Sequence, residues 1–387
     1  MRYLKCEEPS EYKALGEGAK TTFLEAEGDD LALARAKAME YLVTTCPMAL
    51  EKDAFLIGGE NPFLFNQLLP CLHVDAFQRS ASQAPVDPVT REMLTGQVFL
   101  GACFEGHITP GLEQLLGQGT DGLRWRIRDH RARCAAARPE DAARLAWYDA
   151  AVLSCDNLDR YADRLRAAAL AQADATTDSD WASELRCAAA VLARVPRQPA
   201  ETLHEALQAH WLAYILVTVE MGGCMPGGGI GLGRPDQYLY PYFRRDVDAG
   251  RLTRAQALEL MEAWLLNFQH CDYYTPHSIY TVGSQASIGG VTPTGADACN
   301  ELTELTLEAS LRIQMPTPYI SVRLHKDAPE RVWRIMANFV IGGLGFSIVN
   351  DEVLIPAFLR HGRSLGDARD YIGRWGRTNG GYCRGDG

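Results

Sequence analysis

The stretch from Leu203 to Val219 limits the possible folds more than any other part of the chain. It follows Thr202-Leu203-His204-Glu205, a capping box in which the Thr hydroxyl and the Glu carboxylate satisfy free amide donors at a helix start. The helix that follows is apolar nearly all round, with Leu207, Trp211, Leu212, Tyr214, Ile215 and Leu216. Such a helix has no face to offer water, so it must be buried, and its Trp and Tyr stripe belongs to the core. A chain of 387 residues is long enough to bury a core of that kind.

The residues before it read as mostly helical. Asp30 to Val43 is Ala-rich with apolar residues at helical spacing and ends in Thr44-Thr45-Cys46-Pro47. Between 119 and 193 lie long Ala/Arg/Leu-rich stretches such as Asp141 to Arg166, with apolar positions on one face and Arg/Asp on the other. The polar patch Asp174 to Asp180 is a loop or helix start. Pro196-Arg197-Gln198-Pro199 breaks the pattern and marks a boundary between a mainly helical part, 1–199, and a second part, 200–371, of the same domain.

Beyond that break, Thr253-x-x-Gln256 is a second capping box, opening a helix to about Phe268. Further helices start near Asp297 and Asp327, and Ser364-x-x-Asp367 opens a last short one. Strand-like runs lie between them: Ala286 to Ile288, Tyr319 to Leu324 and Ser347 to Val349. Strands separated by helices predict an α/β fold with a barrel or an open sheet.

Composition excludes several functions. The formal charge of −11 lacks the basic footprint that nucleic acid or an anionic membrane needs. No apolar run is long enough to span a bilayer, and Met1-Arg2-Tyr3-Leu4-Lys5-Cys6 has no signal-like apolar core. The eleven cysteines are scattered singly with no C-x-x-C pair, which fits reduced thiols in a cytoplasm better than disulfides or structural zinc. His270-Cys271-Asp272 with His277 has no ligand spacing that supports a metal site. The run Gly227 to Gly233 follows a helix and precedes Arg234-Pro235-Asp236-Gln237, the wrong context for a dinucleotide fingerprint. It reads as an adaptable loop, with Arg234 and Asp236 as a structural ion pair that pins it. Asn350-Asp351-Glu352 reads as a helix cap.

A set of blocks gives the chain a family resemblance. Gly233 to Tyr242 reads Gly-Arg-x-Asp-Gln-Tyr-Leu-Tyr-Pro-Tyr, and Ala200 to Gln208 precedes it. Downstream come Ile288-Gly289-Gly290-Val291, Asp297 to Leu302, Pro318 to Arg323, Asn350 to Pro356 and Asp367-Ala368-Arg369-Asp370-Tyr371. Upstream, Gly106-His107-Ile108-Thr109-Pro110 is followed by Leu115 to Gly119. In that order the blocks resemble the glycyl radical enzymes, the superfamily of pyruvate formate-lyase and the B12-independent glycerol dehydratase. The resemblance runs from about residue 30 to 371.

It implies half of an α/β barrel, which the family builds from two antiparallel half-barrels inside a helical layer. It also implies radical chemistry: a glycyl radical takes a hydrogen atom from a cysteine, whose thiyl radical attacks a small polar metabolite. A C–C or C–heteroatom bond then breaks. No organic cofactor is expected on the protein itself. A separate iron–sulfur activating enzyme using S-adenosylmethionine would install the radical, in an anaerobic cytoplasm. A homodimer or a complementing C-terminal half are further partners the resemblance suggests. By the same resemblance His107 sits where the dehydratase branch touches substrate hydroxyls, and its imidazole suits that task. Ser284 matches a position where relatives carry an aromatic pocket residue, and its smaller side chain predicts a roomier pocket.

Two departures bear on function. Gly228 and Gly229 stand where dehydratases carry a Gly-His-Ser segment, and the loop from Glu220 to Arg234, with Cys224-Met225-Pro226, is longer. The family's Cys-x-Glu loop, expected shortly after Tyr371, is absent. Residues 372–387 form an irregular Gly-rich tail in its place, and the glycyl-radical segment is missing. Cys383, the sole cysteine after Tyr371, is the remaining thiyl candidate. The sequence therefore reads as an N-terminal portion, inactive alone. The alternatives are a split-enzyme subunit completed by a second chain, or a binding protein that has kept the pocket and lost the radical machinery.

Overall fold

The computed structural model describes residues 10–26, 30–52, 54–59, 108–134, 138–220, 230–273, 284–315 and 317–372. Six helices come first: α1 (Ser10–Glu25), α2 (Leu31–Thr45), α3 (Leu112–Ala132), α4 (Pro139–Ala175), α5 (Ser179–Leu192) and α6 (Leu203–Glu220). Their boundaries follow local chemistry. Asp30 caps α2 by accepting from Ala32 N, and Asp178 caps α5 by accepting from Asp180 N and Trp181 N. At α6 the Thr202 hydroxyl accepts from Glu205 N, while the Glu205 carboxylate reaches back to Glu201 N at 2.7 Å.

Tertiary contacts then override one helix. α3 is kinked at Gly119, whose φ is +64°, and a Cβ there would lie 2.3 Å from Arg197 O. The Pro196–Pro199 break is what lies against the kink: Pro196 O and Arg197 O accept from Thr120 N and Asp121 N. The boundary seen in the sequence is thus a docking point, and one apolar core runs from Leu15 to Phe339 across it.

The second part alternates strands and helices. β1 (Gly231–Gly233) leads through α7 (Pro235–Tyr238), α8 (Tyr240–Asp248) and α9 (Arg254–Tyr273) to β2 (Gln285–Gly289). Then come α10 (Glu301–Ile313), β3 (Tyr319–Leu324), α11 (Glu330–Gly342), β4 (Phe346–Asn350), α12 (Asp351–Arg360) and α13 (Leu365–Arg369). The four strands pair in chain order, every pair parallel. Parallel neighbours need a crossover, and the helices between them provide it. This is the open, barrel-like half the sequence leads one to expect. The helices expected near Asp297 and Asp327 begin three or four residues later, because Asn300 and Pro329 are the actual caps.

Within the glycine run the structure differs from the expected loop, since Gly231–Gly233 is strand β1. Gly231 N donates to Ile108 O at 2.7 Å, and a Cβ on Gly231 would lie 2.3 Å from the Thr109 hydroxyl. Glycine is needed there for close backbone approach. α6 is buried with its aromatic side chains packed together, Trp211 stacked on Tyr214 and both edge-on to Phe268 of α9. No helix among the described residues is long and apolar enough to cross a membrane.

Candidate active site

The two faces of the sheet differ sharply. Side chains alternate along a strand, so paired positions in a parallel register share a face. Ala286, Ile288, Ile320, Val322, Leu324 and Phe346 form one face, which packs on the helices; Phe346 meets Phe339 of α11 edge-on. The opposite face carries Gln285, Ser287, Tyr319, Ser321, Arg323 and Ser347. Ser287, Ser321 and Ser347 stand side by side across three strands. Ser287 and Ser321 are fully buried.

A sheet of parallel strands buried on both faces is ordinarily apolar on both. Burying hydroxyls costs free energy unless each finds a partner. Here Gln285 Nε2 donates to Ser321 Oγ at 2.5 Å, and Ser347 Oγ donates to the Tyr319 hydroxyl at 3.2 Å. Just before β2, buried Ser284 shares a short hydrogen bond with the Tyr214 hydroxyl of α6. The result is a surface of hydroxyl and amide groups, buried at Gln285, Ser287 and Ser321 and half-buried at Tyr319 and Ser347, able to donate to or accept from a small polar ligand.

The carboxyl ends of the same strands are closed by a charged junction. Arg323, on the polar face at the end of β3, forms a two-point ion pair with Asp351 at the start of α12, Nε–Oδ1 3.1 Å and Nη2–Oδ2 3.0 Å. Asp351 also accepts from Val291 N at 2.9 Å and from the Tyr371 hydroxyl at 2.5 Å. The remaining Arg323 donors reach Tyr371 O at 2.9 Å and Arg369 O at 2.7 Å, and the guanidinium lies 3.9 Å from the centre of the Tyr371 ring. Burial and the neighbouring Asp351 carboxylate push the Tyr371 phenol well above its usual range, against the opposing pull of Arg323.

Beside it, Arg234 donates to Gly289 O, Val291 O and Asp370 Oδ1, and Asp236 accepts from Gly289 N and the Thr303 hydroxyl, both at 2.7 Å. Arg234 and Asp236 were expected to pair with each other. Instead Arg234 makes its ion pair with Asp370, and the two side chains grip the turn after β2 from different sides. Residues two apart at a helix start do not face one another, which explains the difference. Burial raises the Asp236 carboxyl pKa, with the Arg234 guanidinium opposing it.

Gly233–Tyr242, Ile288–Val291, Pro318–Arg323, Asn350–Pro356 and Asp367–Tyr371 are scattered over the chain, yet they meet at this junction. The profile of the family described as Pyruvate formate lyase-like matches residues 87–373, most of the chain and all of these blocks. The chain belongs to the Pyruvate formate lyase-like family.

Its relatives in the family are glycyl radical enzymes. The isethionate sulfite-lyase of Oleidesulfovibrio alaskensis is 32% identical over 268 residues, 67% of this chain and 32% of the relative. The (2S)-3-sulfopropanediol dehydratase of Klebsiella oxytoca is 27% identical over 274 residues, 69% of this chain and 33% of the relative. Among solved structures, one described as 1,2-propanediol dehydration in Roseburia inulinivorans superposes with a TM-score of 0.78 at 23% identity, covering 93% of this chain and 51% of the other. The glycerol-bound B12-independent glycerol dehydratase of Clostridium butyricum gives 0.78 at 22% identity, with the same coverage. The chain spans about a third of the length of these curated relatives and about half of the solved chains.

Of the residues singled out in the sequence, His107, Gly228, Gly229 and Cys383 lie outside the described residues. Ser284 precedes β2 in the phase of Ala286 and Ile288, so it lies on the side of the helix-packed face rather than with Gln285 and Ser287. Its small side chain there leaves room that the Tyr214 hydroxyl reaches into. Sequence reading assigned Tyr214 to the core and overlooked the serine row. The signal was present as Ser287, Ser321 and Ser347 at one phase of three short strands, but only the register brings them together. Among the described residues no group of His, Cys, Asp and Glu could hold a metal ion.

Proposed function

We propose that this chain supplies one wall of the reaction chamber of a radical lyase or dehydratase that cleaves a C–C or C–heteroatom bond in a small polar metabolite. The observation that carries the reading is the polar face on which Gln285, Ser287 and Ser321 are buried and Ser347 is half-buried beside them. A carbon or sulfur radical needs a site from which water is excluded, with groups fixed in advance to hold the substrate. A hydroxyl and amide surface would orient substrate hydroxyl, carbonyl or sulfonate oxygens by hydrogen bonds without adding charge. The family match supports the reaction class.

In this reading the hydrogen-abstracting cysteine and the radical-bearing glycine sit on loops that face this wall. A separate S-adenosylmethionine-dependent iron–sulfur enzyme installs the radical, and the complete assembly works in an anaerobic cytoplasm. His107, Gly228 and Gly229 complete the substrate contacts, and Cys383 is the thiyl candidate within this chain.

Electron paramagnetic resonance after anaerobic activation tests the proposal. We expect no glycine-radical signal from the chain alone, and signal plus turnover when a polypeptide bearing the C-terminal half of a relative is co-expressed with it. A glycine doublet from the chain alone, or no turnover with any complementing half, overturns it.

A further inference from the structure

The junction at the carboxyl ends of the strands holds more charge than the fold needs. Arg323 and Asp351 are fully buried. A buried ion pair stabilises little beyond what an apolar pair of similar volume would, because both ions lose their hydration. What such a pair supplies is direction, since every lone pair and proton must find a partner at a set angle.

Those partners converge on one piece of main chain. Arg323 binds the carbonyls of Arg369 and Tyr371, Arg234 binds the Asp370 carboxylate, and Asp351 binds the Tyr371 hydroxyl. Two of these bonds go to backbone oxygens, so they fix the path of the chain whatever its side chains. The turn after β2 is cut to admit them. A Cβ on Gly290, at φ +76°, would lie 2.7 Å from both Arg323 Nε and Asp351 Oδ2, and one on Gly295 would lie 2.7 Å from the Arg369 guanidinium. Arg323 projects from the same face as Ser321, so the segment is tied down at the rim of the serine-lined surface.

We propose that Arg234, Arg323 and Asp351 are positioning residues. They strap Arg369–Tyr371 to the rim of the polar face and so fix the main-chain path of that segment beside it. The inference rests on the proposed function, in which the polar face is a wall of the reaction chamber. The rim of such a chamber must be held in place, because displacements of an ångström at a reacting centre cost large factors in rate.

Hydrogen exchange measured by mass spectrometry on the full chain tests it, using Tyr371→Phe and the double variant Arg323→Met with Asp351→Leu. Tyr371→Phe keeps the ring against Arg323 and removes one hydrogen bond to a charged acceptor. We expect exchange across residues 367–372 to rise roughly tenfold or more in both variants, with α6 protection and the global unfolding midpoint unmoved. Arg323→Lys, which keeps the charge, should restore part of the protection relative to the double variant. Should the double variant fail to fold, Tyr371→Phe alone decides. Unchanged protection at 367–372, or loss only in step with global unfolding, overturns the inference. Exchange needs no radical, so a protected strap in a chain that cannot be complemented would sink the functional reading alone.

Discussion

His210 on α6 is fully buried, stacked on Tyr238 and edge-on to Trp264 and Phe268. Trp264 Nε1 points at its Nδ1 at 3.4 Å, so the imidazole proton belongs on Nε2, which has no hydrogen-bond partner among the described residues. Burial in this aromatic nest drives its pKa down to about 3 from 6.5. The sign follows directly. The folded protein keeps His210 neutral, while the unfolded chain takes up a proton below about pH 6.5. Stability is therefore fully present above that pH and is lost progressively as the pH falls towards 3. Urea unfolding between pH 7.5 and 5 should show His210 contributing a slope of up to roughly 1.4 kcal/mol per pH unit. That contribution should vanish in His210→Phe. An unchanged slope in the variant would mean that the ring can be protonated in place.

At the scale of elements, caps decide where the second part changes direction. Asn300 Oδ1 accepts from Leu302 N and Thr303 N, and its Nδ2 donates to Asp236 O at 2.8 Å, joining the start of α10 to α7. Thr303 returns the bond to Asn300 N and also binds Asp236. Asn300→Ala should cost about 2 kcal/mol, at the upper end for a cap, because it also releases α7. Thr253→Ala removes an exposed capping box at the start of α9 and should cost about 1 kcal/mol or less. Urea midpoints compare the two directly, and equal losses would show that the link to α7 contributes nothing.

For the whole molecule, the unbalanced surface matters most. β4 closes the sheet with one edge unpaired by any described strand. Near it Ile348 is 54% exposed, and on the adjoining helices Val340, Ile341 and Val353 are 67%, 83% and 59% exposed. An open strand edge beside exposed aliphatic side chains is a surface on which another chain can pair. The purified chain should self-associate at micromolar concentration in sedimentation velocity, and Ile341→Lys with Ile348→Lys should shift it towards monomer. A clean monomer of the unaltered chain, unfolding cooperatively, would count against the chamber-wall reading.

Much of this was legible in the sequence because it is local. Capping residues announce helix starts within one turn, as at Asp30, Thr202 and Ser364. The all-round apolar pattern placed α6 inside, and short strand-like runs between helices located β2, β3 and β4. β1 was not legible, because glycines carry no side-chain periodicity and its pairing is set by Ile108 and Gln285, far along the chain. The family blocks could be recognised one by one. That Arg234 turns to Asp370 rather than to Asp236, and that Arg323, Asp351 and Tyr371 close one junction, was decided by strand register and by where α12 and α13 fold back. The sequence by itself determined the elements, the burial of α6 and the kinship. Only the tertiary structure decided which polar groups share a face, since hydrogen bonds between distant residues exist only once the backbone has set their separation.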